Sequence, residues 1–287
     1  MKLRNILKFI SICLLFVLVA CSEQSRIFST SDSSFIEEEL KEADKNTLVI
    51  FDINDVLLEQ KELLFKKQNS TLLKNLLKEM SANMSNEEEQ TLYSVVVQRP
   101  VVYVDENFVR IIHDFQNKNV KVIALTNGLV GTCGYVKSMD RLLIQQLRDL
   151  DYHLEKSWLD LKNAQIYMTK SKDRKILFAE GIVFANKMIS KASKGESLLA
   201  FFKYADFYPK KVIFIDDKLK NLKSVSNILE KQGVEFIGFE YTKAKNRKDS
   251  PVITKEHAKL QLSILKKRHK LLSDEEIDKI LHNNNEH

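Results

Sequence analysis

Glycine and proline are scarce in this chain, 7 and 3 among 287 residues, which excludes collagen-like repeats and long low-complexity stretches. Cysteine occurs three times, at positions 13, 21 and 133, with no Cys-x-x-Cys pair. The six histidines, His113, His153, His257, His269, His282 and His287, show no metal-ligand spacing either, so a cysteine–histidine metal site is excluded. The single tryptophan, Trp158, is read as a packing residue. No run of one charge sign dominates: the formal charge is +6 and lysine and arginine are interspersed with acids, which excludes nucleic acid as the expected partner. The apolar run over residues 9–20, broken only by Ser11, falls short of the ~20 residues that span a bilayer. No internal repeat is present. What remains is the composition of a folded globular protein, 44% hydrophobic and 29% charged.

Lys2, Arg4 and Lys8 precede the apolar run with no acid among them, the form of a signal peptide. The run ends Leu18-Val19-Ala20-Cys21, which resembles the lipobox of bacterial lipoproteins. The resemblance implies cleavage before Cys21 and acylation of its sulfur and new amino group; an ordinary signal peptide or a short anchor helix is the alternative. Several acyl chains on one residue anchor firmly, at about 0.8 kcal/mol per buried methylene. The expectation is therefore a lipoprotein of the bacterial envelope, periplasm-facing or at the cell surface, with the membrane as a partner through its anchor. By analogy, Ser22 favours outer-membrane sorting in some Gram-negative bacteria. Loss of residues 1–20 lowers the formal charge from +6 to +3. Cys133 then stands alone, expected as a small buried packing residue with no disulfide.

Residues 21–45 are polar and acidic and read as a tether followed by a short helix over 35–45. Thr47-Leu48-Val49-Ile50-Phe51 is a continuous apolar run, which predicts a strand buried on both faces as in a parallel sheet. Residues 58–98 carry leucines at helical spacing and are read as helical. A helix over 105–118 leads to a second buried strand over 120–125, and a further helix covers 137–151. Residues 165–168 and 176–184 look extended, as a hairpin or flap. A helix over 197–204, a third buried strand over 211–215, a helix over 219–232 and a fourth strand over 234–238 complete the series. Strands alternating with helices predict right-handed βαβ units and a parallel sheet. Two C-terminal helices follow, over 255–272 and from Ser273 onward, expected to pack on the sheet or edge it; Ser273 and Glu276 fit a capping box.

Three strand ends carry the chemistry, where open α/β sheets bind ligands. Asp52 follows the first strand within Asp52-Ile53-Asn54-Asp55-Val56, as a carboxylate able to attack phosphorus. Thr126 and Asn127 follow the second and can hold phosphate oxygens, or serve as simple turn residues. Asp216 and Asp217 end the third and suit Mg²⁺, a hard cation that favours carboxylates. Lys194, ahead of a helix, can neutralise charge on the nucleophile and phosphoryl group, or be a solvated surface lysine. Asn221 either hydrogen-bonds near the acidic pair or lies on a helix surface.

In this order, strand–Asp52-x-Asn54-x-Val56, strand–Thr126, Lys194 and strand–Asp216-Asp217 resemble the four motifs of the haloacid dehalogenase (HAD) superfamily. The text around Gly181-Ile182-Val183-Phe184, Lys194-Gly195-Glu196 and Phe214-Ile215-Asp216-Asp217-Lys218 is similar to an uncharacterised branch of HAD-like bacterial proteins. The resemblance covers residues 45–241. It implies an α/β fold, a Rossmann-like three-layer α/β/α sandwich over 46–245 with a small helical cap inserted at 58–100, and C-terminal helices over 246–287. It also implies a Mg²⁺-dependent phosphohydrolase acting on a phosphorylated small molecule or phosphoester through an aspartyl phosphate. Asp52 would be nucleophile, with Asp52, the Asn54 carbonyl, Asp216 and Asp217 holding metal, and Thr126, Asn127 and Lys194 gripping phosphate. Asn54 departs from the family pattern, which places an acid–base Asp there. An amide trades no proton at neutral pH, and losing a general acid lowers rate by about 10²–10⁴-fold. Asn54 therefore implies slow turnover, a substrate with a good leaving group, or an inactive binding module displayed on the envelope; a purely structural lipoprotein is the third reading.

Overall fold

A computed structural model describes residues 25–81, 84–168, 174–247, 251 and 253–285. The expected signal peptide over residues 1–20 and the expected lipidation site Cys21 lie outside the described residues.

The chain builds a central sheet of eight strands. In chain order its strands are β1 (Arg26–Thr30), β2 (Thr47–Phe51), β5 (Lys121–Thr126), β6 (Ala164–Tyr167), β7 (Lys175–Ala179), β8 (Ile182–Phe184), β9 (Lys211–Asp216) and β10 (Glu235–Tyr241). The spatial order is β1-β10-β9-β2-β5-β8-β7-β6. Every pairing from β1 to β8 is parallel, and the β8–β7 and β7–β6 pairs are antiparallel. The expected hairpin is thus an extension of the main sheet.

Alternation along the strands divides the core into two layers. Val49, Phe51, Val122, Ala124, Ile213 and Ile215 face α1 (Ser33–Leu40), α4 (Asn107–Asn117) and α5 (Met139–Asp149). Leu48, Ile50, Ile123, Leu125, Val212 and Phe214 face α7 (Lys194–Ala205) and α8 (Leu219–Glu230). The sequence shows why the helices lie as they do: α4 buries Phe108, Ile111, Ile112 and Phe115, and α8 buries Leu222, Val225 and Leu229, each an i, i+3/i+4, i+7 stripe. Helices on both faces of a mostly parallel sheet make the α/β/α sandwich expected. Trp158 is buried here, its indole N–H donating to the Val122 carbonyl at 2.8 Å. Cys133 is buried beside Val136 and Met139.

Three expectations change. Arg26–Thr30 is a strand rather than tether, paired parallel to β10. Ile27 packs on one face of the sheet, and Phe28 lies on the other, stacked 5.6 Å from Phe239. Residues 58–98 are not helical throughout. β3 (Leu58–Gln60) pairs antiparallel with β4 (Val101–Tyr103) as a two-stranded ribbon. Beyond it the insertion forms two short 3₁₀ turns and the helices α2 (Ser70–Ser81) and α3 (Asn86–Val97). The C-terminal helices α9 (Lys255–Arg268) and α10 (Asp274–Asn285) do not cover the sheet. Ala258, Leu262, Leu265 and Leu271 pack with Leu64, Leu76 and Leu92 of the insertion in a third core, because the two amphipathic pairs bury one another's apolar faces. The expected capping box at Ser273 and Glu276 is present. A single short turn, α6 (Lys187–Ser190), precedes α7.

The start of α7 depends on a close approach. A Cβ on Gly195 would sit 2.6 Å from the Ser224 carbonyl oxygen and 2.7 Å from Ile228 Cδ1, both on α8. Gly195→Ala should therefore lower the unfolding free energy by about 1–3 kcal/mol, the usual effect of overpacking. Denaturant melts read this directly; an unchanged midpoint would mean that the two helices have slack at this crossing.

Candidate active site

β9, β2 and β5 are neighbours at the centre of the sheet, so their carboxyl ends bring the three acidic and hydroxyl positions to one edge. The Asp52 N–H donates to the Ile215 carbonyl at 2.8 Å, extending the β2–β9 ladder by one residue into the site. Ile53, Val56 and Leu57 are fully buried and pin the loop that follows. Asp55 takes a left-handed conformation (φ 65°) and its N–H donates to the Leu58 carbonyl at 2.9 Å. The loop is a tight, packed turn rather than a free one.

Lys194 occupies the centre. Its ammonium lies 2.9 Å from Asp52 Oδ1 and 2.6 Å from Asp216 Oδ2, and 5.2 Å from the centre of the Phe214 ring. Lys194 is 2% exposed, so the solvated-surface reading is wrong for it. Its helix starts in a complete capping box between Ser193 and Glu196, which sets the position from which the side chain reaches inward. Asp216, fully buried, also accepts from the Lys218 N–H at 2.8 Å and from Asn221 Nδ2 at 2.9 and 3.0 Å. Asn221 thus holds Asp216 through both carboxylate oxygens. Asp52 Oδ1 accepts from the Ile53 N–H at 2.8 Å, while Oδ2 has no donor among the described residues.

The roles of two lysines were not legible in the sequence. Lys67, from the insertion, binds both Asp217 and Asp55, the latter at 3.1 Å. Lys218 lies 3.1 Å from Asp217 Oδ1. Lys67 has no periodicity or motif that marks it, and only the folding of the insertion over the strand ends brings it in; Lys218 belongs to the Phe214–Lys218 text, which gave it no role of its own. Asp55 is engaged by Lys67, yet burial holds its carboxyl above the ordinary value against that lysine. Asn54 is exposed at the mouth of the site, and its carbonyl accepts no hydrogen bond among the described residues. Thr126 is buried at the end of β5, its Oγ1 accepting from the Gly128 N–H at 3.1 Å. Asn127 Oδ1 is buried without a partner among the described residues.

Four carboxylates (Asp52, Asp55, Asp216, Asp217) thus face three ammonium groups (Lys67, Lys194, Lys218). Burial pushes the Asp52 carboxyl from 3.8 up to about 7; Lys194 opposes the rise and Asp216 reinforces it. Asp217 behaves differently: burial works to raise it, but Lys67 and Lys218 outweigh that and hold it low. Burial would lower Lys194, yet Asp52 and Asp216 hold its ammonium above the ordinary lysine value. Asp52, Asp216 and Asp217 each offer a carboxylate oxygen, all within 4.8 Å of one another. An all-oxygen set of this kind is the donor chemistry that hard divalent cations favour.

The family profile described as "Protein of unknown function (DUF2608)" matches residues 29–278. The chain belongs to this family. The match runs from β1 into α10, so the insertion and the C-terminal helices are part of it. An uncharacterized protein of Rickettsia prowazekii is 24% identical over 233 residues, covering 79% of this chain and 82% of its own. A Chlamydia trachomatis protein named as a candidate outer membrane protein is 26% identical over 238 residues, 81% of each chain. An uncharacterized protein of Rickettsia bellii is 26% identical over 149 residues, 50% of this chain and 49% of its own. No solved structure matches the chain.

An acid whose carboxyl titrates higher in the folded state than in the unfolded chain binds its proton more tightly when folded. Its stabilising contribution is therefore present at low pH and is lost as pH rises between the two values. For Asp52 that window runs from about 4 to about 7. In chelator-treated protein, the melting temperature of wild type relative to Asp52→Asn should fall as pH is raised from 5 to 8. A difference independent of pH would remove the coupling described here.

Proposed function

We propose that this protein is a HAD-type phosphohydrolase of the bacterial envelope, using Mg²⁺ and an aspartyl phosphate formed on Asp52. One observation carries the reading: a buried carboxylate at a central strand end, held through Oδ1 by Lys194, with Oδ2 free of donors. Oδ2 attacks the phosphorus of a phosphomonoester and forms the new P–O bond as the ester P–O bond breaks. The departing alkoxide takes its proton from solvent, since the Asn54 amide has none to give. Water then adds to the same phosphorus, the bond to Asp52 breaks, and the water's released proton leaves with phosphate or solvent. The sum is a phosphomonoester and water going to an alcohol and inorganic phosphate. Asp216 and Asp217, with Asp52 and the Asn54 carbonyl, would hold Mg²⁺, which supplies positive charge against the phosphoryl oxygens. The Thr126 hydroxyl and the Asn127 side-chain N–H would donate to those oxygens. Phosphoryl transfer depends mainly on such positioning and charge.

Envelope location is supported by the signal-like residues 1–20 with Cys21 at their end, and by the name of the Chlamydia trachomatis relative. Asn54 favours a second reading, a binding module on the same scaffold. A phosphate-release assay over a broad phosphomonoester panel with Mg²⁺ separates the two. Wild type should turn over, Asp52→Asn should be silent, and Asn54→Asp should gain up to the about 10²–10⁴-fold that a general acid supplies. Wild type no faster than Asp52→Asn across the panel would reject the enzyme reading, and a gain in Asn54→Asp alone would assign the natural chain to binding.

A further inference from the structure

The insertion does more than cover the strand ends. Between it and α9 lies a cavity of about 660 Å³, inside the about 300–1,000 Å³ range of small-molecule sites. Its walls are apolar: Leu73 and Met80 of α2, Leu92 and Val96 of α3, Leu262 and Leu265 of α9. One end is the nucleophile loop, for Asn54 and Asp55 line it. A smaller hollow of about 50 Å³ shares Asn54, Leu58 and Gln60 with the large one and reaches Gly128, two residues past Thr126. The apolar space therefore opens at Asn54 and Asp55, on the loop that follows Asp52.

Two features suit an occupant. Glu59 Oε2 and Gln60 Oε1 are buried and without partners among the described residues, and both residues line the cavity. Glu59 Oε1 is already matched by Lys66 and Arg247, each at 2.9 Å, so what remains open is acceptor capacity for a ligand hydroxyl or amide. Leu77 and Tyr93, which also line the cavity, are 38% and 47% exposed, leaving apolar surface for an occupant to cover. Methionine among the lining residues lets such a site adapt to a flexible chain.

We propose, on the phosphohydrolase reading above, that the substrate is the phosphomonoester of an amphiphile, with its phosphate at Asp52 and its alkyl chain in the cavity beneath the insertion. The full chain, held in phospholipid nanodiscs so that no free detergent competes, is assayed on n-alkyl phosphates from ethyl to octyl. kcat/KM should rise with length, by as much as about fourfold per methylene where each is fully buried, equivalent to about 0.8 kcal/mol. Leu73→Gln should flatten the rise; if that variant does not fold, the wild-type slope alone decides. Calorimetry with ethyl- and octylphosphonate, which lack the ester oxygen, reads the same preference without turnover. Turnover that ignores chain length would overturn the amphiphile inference and leave the phosphohydrolase reading standing. Absent turnover with octylphosphonate bound at least tenfold tighter, and that preference lost in Leu73→Gln, would sink the catalytic reading and support the amphiphile site. Absent turnover with equal binding of both phosphonates would overturn both.

Discussion

The ammonium of Lys194, wedged between the carboxylates of Asp52 and Asp216 and closed off from water, is the contact on which the strand-end site depends. Two buried carboxylates this close repel one another strongly in a medium of low dielectric constant, and leaving either one uncompensated destabilises a fold by several kcal/mol. The cation is supplied by a helix and the anions by two neighbouring strands, so the pairing also fixes α7 against the sheet. Everything near it serves that register. The capping box of Ser193 and Glu196 starts the helix, Gly195 lets it approach α8, and Asn221 on α8 holds Asp216 from the other side. The site is thus built from the same contacts that join the layers of the sandwich.

The insertion is tied down by charge as well as by apolar packing. Glu59 takes Lys66 and Arg247, and Glu62 takes Arg99, with both acids almost fully buried. Asp274, at the start of α10, accepts from the Leu63 N–H at 2.8 Å. The C-terminal helices therefore hold the insertion in place, and the insertion in turn delivers Lys67 to Asp55 and Asp217. This explains how residues beyond the sheet bear on the charge balance at its edge, and why the family match reaches into α10. The same arrangement creates the apolar cavity, because α9 and the two helices of the insertion leave space between them next to Asn54.

Much of the fold was legible because its central strands are continuous apolar runs and its helices carry clean stripes. Burial on both faces demands such runs, so β2, β5, β9 and β10 declare themselves. β1 did not: Arg26-Ile27-Phe28-Ser29-Thr30 is short, polar at three of five positions, and paired on one side only. Nor did the β3–β4 ribbon, whose three-residue strands lie too far apart in sequence to show a pairing. The site followed the same division. Asp52, Thr126 and Asp216 sit at strand ends, where chain pattern alone locates them, whereas Lys194 was one lysine among several and Asn221 stood open between two roles.

The sequence by itself determined the layered α/β class, the order of the central strands with their helices, and the side chains gathered at the central strand ends, because local periodicity and burial dictate those features. Only the tertiary structure decided which lysines enter the site, how Asn221 acts, and that the C-terminal helices join the insertion rather than the sheet. Those outcomes depend on contacts between segments far apart in the chain, such as Lys67 with Asp217 and Leu63 with Asp274. No local pattern encodes such pairs, since a lysine that crosses to a distant carboxylate and one that faces water occupy the same kind of position in the text.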